Sequence, residues 1–451
     1  MTRALVGAAL ATVILSGPAV AQAKGKIGPT SALVRERTGV EVPWPPDGRP
    51  QHAASDTIQA LLQGGLTVDR AVRVALLNHR GLRAELEEVG VSQAEFRQAL
   101  LPKNPTVEGE VRYGGAGRPG EIGVMQDLGS ILLLPIRRQA AGARLERAGF
   151  LAAHAALELV RETRESYFDA QAMQQIRRFW KQVEGTARAA ADLAQRQHAA
   201  GNISDLDLDN HQAAYESAKI ELSKLEIESR SARERLNLSL GIWGDRTAWV
   251  LMGDLPGVPA DPDPIIGLES LAISQRFDLA AADAEVRALA KEVSLARFSQ
   301  FPELRAGVHS EREPEGTRTI GPAIDLSLPL FDRGQHLVAS ARARLRQAQD
   351  RQAALAVEIR SEVRAAHDRW RAARELVEYL RDVVLPRRAR IVEQTQREYN
   401  FMLVGVYQLL QARQEEIGAG REYLEAQRDY WIAHTELEHA LGGAWPTERR
   451  P

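Results

Sequence analysis

The chain has 451 residues, a formal net charge of −2, 26% charged residues and no cysteine. Basic residues alternate with acidic ones, which leaves no footprint for nucleic acid, and the missing thiols exclude disulfides and a lipid carried on an N-terminal cysteine. After the N-terminal segment no apolar run reaches the ~18 residues of a membrane-spanning helix, so any crossing of a bilayer must be made by strands.

Residues 1–23 carry a basic start (Arg3), an apolar stretch from Ala4 to Leu15 and the small-x-small triplet Ala21-Gln22-Ala23. This is the layout of a secretory signal, and it places a mature chain starting near Lys24 beyond the inner membrane of a two-membrane bacterium. Residues 24–66 read as an N-terminal extended periplasmic segment, because Val42-Pro-Trp-Pro-Pro-Asp47 favours extended chain.

The rest is laid down twice. Leu82, Pro105 and Val111 recur 197 positions later as Leu279, Pro302 and Val308. Ala143, Arg144, Leu145, Ala148 and Glu158 recur 200 positions later, and Gln195, Leu236, Leu240 and Gly241 recur 201 later. The copies span 67–243 and 265–443, joined by a Pro/Asp/Gly-rich linker at 244–264 and followed by a tail at 444–451. A unit of ~200 residues is too long for a solenoid repeat and implies two-fold pseudo-symmetry.

Each copy contains two short segments with period-two alternation: about 105–114 and 121–129 in the first, 302–311 and 319–329 in the second. Polar loops rich in glycine and proline join each pair, which predicts two hairpins. Gly115-x-Gly117-x-x-Gly120 matches a dinucleotide fingerprint only formally, since Pro119 lies inside it and no helix follows. Alternation alone fits equally a small soluble sheet with one wet face and strands facing lipid. Four strands cannot close a barrel, so the membrane reading requires several copies to pool their hairpins.

After each hairpin comes a long helical rod. Residues 138–199 contain no proline and carry an alanine-rich seam, which predicts a helix on the order of 90 to 100 Å. A turn at 200–205 reverses the chain into a helix at 205–240, and a single helix is expected over 265–300. In the second copy the rod runs from 335 to 401 with a kink or break at Pro386, a turn at 400–406 and a return to Leu441. Such helices alone would also suit a soluble periplasmic coiled-coil scaffold, which would have no use for the hairpins.

Taken with Leu101-Pro102…Pro105 before the first strand and Asp325-Leu-Ser-Leu-Pro-Leu-Phe-Asp-Arg-Gly334 after the fourth, this plan resembles the TolC-type outer-membrane efflux channel family over about 67–443. Ala200-Gly-Asn-Ile-Ser-Asp205 and Tyr399-Asn-Phe-Met-Leu-Val-Gly405 stand where that family has its periplasmic tips. The resemblance implies a mainly α fold with a small β part: a homotrimer whose twelve pooled strands form a transmembrane barrel continued by a long periplasmic α-barrel. It implies a passive duct in a tripartite system, with a periplasmic adaptor meeting Gly201, Asn202, Ile203, Ser204, Leu403, Val404 and Gly405. Tyr430-Trp431 and Ala440-Leu-Gly-Gly443 are similar to the heavy-metal and cation branch, served by resistance-nodulation-division transporters of the inner membrane. Many members of that branch carry an acylated N-terminal cysteine; this chain departs from them, and insertion alone is expected to hold it in the outer membrane.

Within that frame Glu108, Glu110, Arg112, Glu303, Arg305 and Asp325 are expected to line a wet lumen, and Val107, Val111, Tyr113, Leu304, Val308, Ile324 and Leu326 to face lipid. Asp205, Asp207 and Asp209 follow the first tip, where they cap a helix or form an acidic ring at the periplasmic mouth. No nucleophile elbow or zinc-protease helix occurs, so neither an enzyme nor a cofactor is expected. Small solutes, metal cations or drugs are the expected cargo, with secretion of polypeptides as the alternative within the channel class.

Overall fold

A computed structural model describes residues 28–40, 52–111, 120–259, 267–298, 300–313 and 315–443. The signal segment, the Val42–Asp47 stretch, part of the linker, the tail, Arg112 and Tyr113 lie outside the described residues.

The segment expected to be extended contains two helices, α1 (Gly28–Thr38) and α2 (His52–Gln63). Their apolar positions explain the difference: Val34 is 1% exposed and Ile58 2%, so each helix buries a narrow stripe in the main core. Helices α3 (Val68–Asn78) and α4 (Arg80–Ala99) follow, meeting at His79, whose ring nitrogen accepts the Leu82 amide.

Strands β1 (Thr106–Val111) and β2 (Gly120–Asp127) form the first hairpin. The second strand stops two residues short of expectation because the Asp127 carboxylate accepts the Ser130 amide at 3.0 Å, capping a short helix α5 (Leu128–Leu132). The long helix α6 (Leu134–Ala199) begins one residue later with Pro135 in its first turn, where a missing N–H costs nothing. Helix α7 (Asp205–Leu240) returns beside it.

The second copy opens with two helices, α8 (Leu268–Gln275) and α9 (Phe277–Phe298), where one was expected. The break falls at Arg276, which is 8% exposed and in the β region; it turns inward to pair with Asp278 at 2.7 Å and Glu362 at 2.5 Å. Strands β3 (Glu303–Arg312) and β4 (Arg318–Ser327) lead to α10 (Gln335–Tyr379). A single wide π turn at Leu380–Val384 joins α10 to α11 (Leu385–Asn400). The helix continues through Pro386 without a break, and the irregularity expected there takes the form of this wide turn: Pro386 has no N–H for the tighter ladder, and one extra residue in the preceding turn accommodates it. Helix α12 (Val406–Ala440) completes the fold.

Along α6 pack α4 and α9 towards the sheet, α7 and α12 towards the other end, and α1 and α3 at mid-height. Two clusters of large side chains occupy that mid-height, one around Leu66, Ile176 and Leu236 and one around Ile359, Tyr430 and Leu437, with Trp431 packed against both. A strap after α7 is pinned there: Leu66 exchanges backbone bonds with Val250 and Met252, and the Tyr167 hydroxyl donates to the Leu66 carbonyl at 3.1 Å.

The four strands form one antiparallel sheet in the order β1-β2-β3-β4, so the two hairpins pair through β2 and β3. Gly307 sits on that seam. A Cβ there would collide with the Val124 carbonyl oxygen, so the close approach of the hairpins requires glycine.

Candidate channel wall and docking tips

Side chains alternate across a strand, so cross-strand partners share a face and the register sorts the whole sheet. Val107, Val124, Val308 and Pro322 are consecutive partners across the four strands. With them on one face stand Val111, Leu304, Ile324 and Leu326, and also Ile122 and Ile320. The opposite face carries Glu108, Glu110, Glu303, Arg305 and Asp325, joined by Glu121, Asp127, His309 and Glu311. Arg305 lies 3.7 Å from Glu108 and 3.8 Å from Asp325, and His309 is 2.9 Å from Glu121, so the polar face is cross-linked from β1 to β4.

The apolar face is bare. Ile324 is 75% exposed and Val107 71%. Large apolar side chains wetted this fully on one side of a sheet mark a surface that something else covers. Beyond the strand ends Leu132, Phe301, Leu330 and Phe331 continue the exposure.

At the far end of the rods the first tip runs through Gly201, Asn202 and Ile203 into Ser204, whose hydroxyl accepts the Asp207 amide while the Asp207 carboxylate accepts the Ser204 amide. Asp207 is therefore a capping residue, and Asp205 pairs with His198 at 2.5 Å. Asp209 is exposed one turn further on. In the second tip Leu403 and Gly405 are exposed and Val404 half-buried. The exposed apolar surface of this tip extends beyond Leu403: Phe401 is 77% exposed, Met402 93% and Tyr407 65%. The run Phe401-Met-Leu-Val404 in a helix turn carried that signal.

A polar cluster that sequence spacing does not reveal lies at mid-height. The His439 ring donates to the Glu158 carboxylate at 3.0 Å, the His154 ring is 5.9 Å from that of His439, and Arg161 also holds Glu158. The bonds from His439 and Arg161 push the Glu158 carboxyl far below the usual range, while burial pushes the His154 imidazole down. Among the described residues no three His, Asp or Glu side chains gather as metal ligands, and no helix is long and apolar enough to cross a membrane.

The cobalt-zinc-cadmium resistance protein CzcC of Cupriavidus metallidurans is 24% identical over 390 residues, 84% of this chain and 90% of that protein. SilC of Salmonella typhimurium, a probable outer membrane lipoprotein, is 23% identical over 62% of this chain and 65% of its own length. In fold, the CmeC outer membrane channel of Campylobacter jejuni superposes with a TM-score of 0.74 at 15% identity, covering 90% of this chain and 91% of CmeC. The sequence pattern of outer membrane efflux proteins matches residues 135–242 and 268–443, the two rod-and-return units and the elements leading into the second, and the chain belongs to the outer membrane efflux protein family.

Proposed function

We propose that three copies of this chain pool their sheets into one twelve-stranded barrel in the outer membrane and their rods into a periplasmic α-barrel. The sheet register carries this reading. It leaves β1 and β4 as outer strands with one apolar and one charged face, and lipid tolerates no unpaired strand edge, so the sheet must be completed by neighbours. In that arrangement Val107, Val111, Leu304, Val308, Ile324 and Leu326 meet lipid, while Glu108, Glu110, Glu303, Arg305 and Asp325 face the water-filled lumen.

The duct is passive, and its tips receive a periplasmic adaptor that joins it to an inner-membrane transporter of the resistance-nodulation-division type. Gly201, Asn202, Ile203, Ser204, Leu403, Val404 and Gly405 form the adaptor contact, with Asp205, Asp207 and Asp209 at the periplasmic mouth. Heavy-metal cations are the cargo favoured by the likeness to CzcC and by the acidic excess on the polar sheet face. SilC is described as a probable lipoprotein, whereas this sequence contains no cysteine to carry a lipid, which favours barrel insertion as its hold on the membrane.

Fractionation tests the reading. The protein should be extracted from outer membranes only by detergent and cross-link as three chains, and Val111→Arg or Leu326→Arg should block insertion. A monodisperse monomer without detergent, indifferent to both substitutions, would sink it. Growth of a deletion strain on metal salts, dyes and detergents, with assay of secreted proteins, separates solute efflux from polypeptide export.

A further inference from the structure

Two open grooves flank α6 just below the sheet, and they lie on opposite sides of it. One is lined by Lys103, Arg137, Ala140 and Ala141; Lys103 is 3.1 Å from Asp127 of the charged sheet face, so this groove belongs to that side. The other is a groove of about 940 Å³ lined by Arg138, Gly142 and Lys291 among others. At 100° per residue, Gly142 points some 200° away from Ala140, which puts the second groove on the side of the apolar sheet face. Gly149, two turns along from Gly142, meets Thr30 of α1 on that same side.

The wall of the second groove is apolar: Phe96, Leu100, Leu134, Pro135 and Ala290. Ile131 and Leu132, exposed at the foot of the sheet, closely precede Leu134 of this wall in the chain. Its rim is cationic. Arg287 is neutralised by Glu146 at 2.8 Å and Asp283 at 3.0 Å, but Arg138 and Lys291 form no ion pair among the described residues. Two unneutralised cations over an apolar trough, in a volume within the usual ~300–1,000 Å³ of ligand sites, suit an anion with a hydrocarbon tail.

We propose that this groove seats an anionic phospholipid of the periplasmic leaflet, its phosphate between Arg138 and Lys291 and its acyl chain along Leu134 and Pro135 towards Leu132. The assignment rests on the sheet being the membrane-spanning part. A lipid held there would fix the depth of the protein in the bilayer at the level where strands give way to helices.

The test titrates the detergent-purified protein with phosphatidylglycerol, phosphatidylcholine or inorganic phosphate and counts bound molecules by native mass spectrometry. Phosphatidylglycerol should be retained, at least tenfold more weakly by the Arg138→Glu/Lys291→Glu double variant and with full strength by Arg138→Lys/Lys291→Arg. Equal retention by a double variant of unchanged melting temperature overturns the proposal, as does equal retention of phosphatidylcholine or equally tight binding of phosphate alone. Because the chain has no cysteine, Gln139→Cys offers a unique handle for a benzophenone: an adduct with lipid supports the assignment, and one with peptide of the same or a second copy refutes it. Failure of the protein to insert into vesicles at all would remove the membrane reading, whereas insertion with lipid binding indifferent to the variants would remove only the groove.

Discussion

Met402 occupies the backbone position in the second tip that Gly201 occupies in the first. The two stand 201 positions apart, with φ of 60° and 73°, and each closes its helix in the same way. The amide of Gly201 donates to His198 and that of Asn202 to Gln197; the amide of Met402 donates to Tyr399 and that of Leu403 to Glu398. The same closure ends the return helices, at Gly241 and at Gly442. Of these four helix ends three have the glycine that a left-handed residue calls for, and only the second tip has a side chain.

A left-handed non-glycine residue costs roughly 1–2 kcal/mol, and Met402 gains no burial in return, being 93% exposed. Strain kept at an exposed apolar tip points to binding. Met402→Gly should leave the melting temperature of the assembly unchanged or slightly raised, yet weaken capture of the adaptor in a pull-down. A variant with lower stability and normal adaptor capture would remove this reading of the tip.

Val308 and His309 are adjacent in β3 and face opposite ways. Val308→Arg places a charge in the apolar row between Val124 and Pro322, which near the middle of a bilayer costs roughly 2–4 kcal/mol. His309→Arg keeps a cation beside Glu121 on the wet face. The first variant should fail to reach the outer membrane and the second should insert normally, as read by fractionation and protease protection.

The first rod, the tips and the two-faced strands were legible because each has a local cause: the proline-free alanine seam of 138–199, Gly201-Asn202, and the alternation of valine with glutamate in β1. The pairing of β2 with β3 was not, because it joins hairpins nearly 200 residues apart in a repeat whose sequence says nothing about which edges meet. The helices at 28–38 and 52–63 were hidden by the prolines between them. The break at 276 was hidden for a different reason: Ser274-Gln275-Arg276 contains neither glycine nor proline, and the turn is fixed by an ion pair to Glu362 in the following rod.

The Arg276–Asp278 pair beside it is a stability test in itself. Burial pushes the Asp278 carboxyl up, but the Arg276 guanidinium more than offsets it and holds the group below its ordinary value. Arg276→Met would leave Asp278 buried without its cation, at a cost of about 3–5 kcal/mol. The double variant Arg276→Met/Asp278→Leu should recover much of the loss in thermal melts of the detergent-solubilised protein; no recovery would mean that the bend itself, rather than the charge, was being held.

Acid stability should fall in two steps. His434, wedged against Tyr430 and Trp431, has its imidazole pushed down to about 4 by burial, with Arg164 adding to the effect. The folded state therefore refuses a proton that the unfolded chain accepts near pH 6.5. Stability from this group is complete above that value and is lost as the pH falls towards about 4, an effect on the order of 2 kcal/mol after allowing for solvent screening. Glu158 acts lower down: its depressed carboxyl contributes fully above its ordinary value near 4.5 and loses its contribution as the medium becomes more acid. His434→Leu should reduce the fall in melting temperature between pH 6.5 and 4.5 to the part due to the depressed His154 imidazole, while leaving the decline below pH 4.5 in place, and Glu158→Gln should do the reverse. A wild-type melting temperature constant from pH 7 to 4.5 would show that His434 takes up its proton without leaving its pocket.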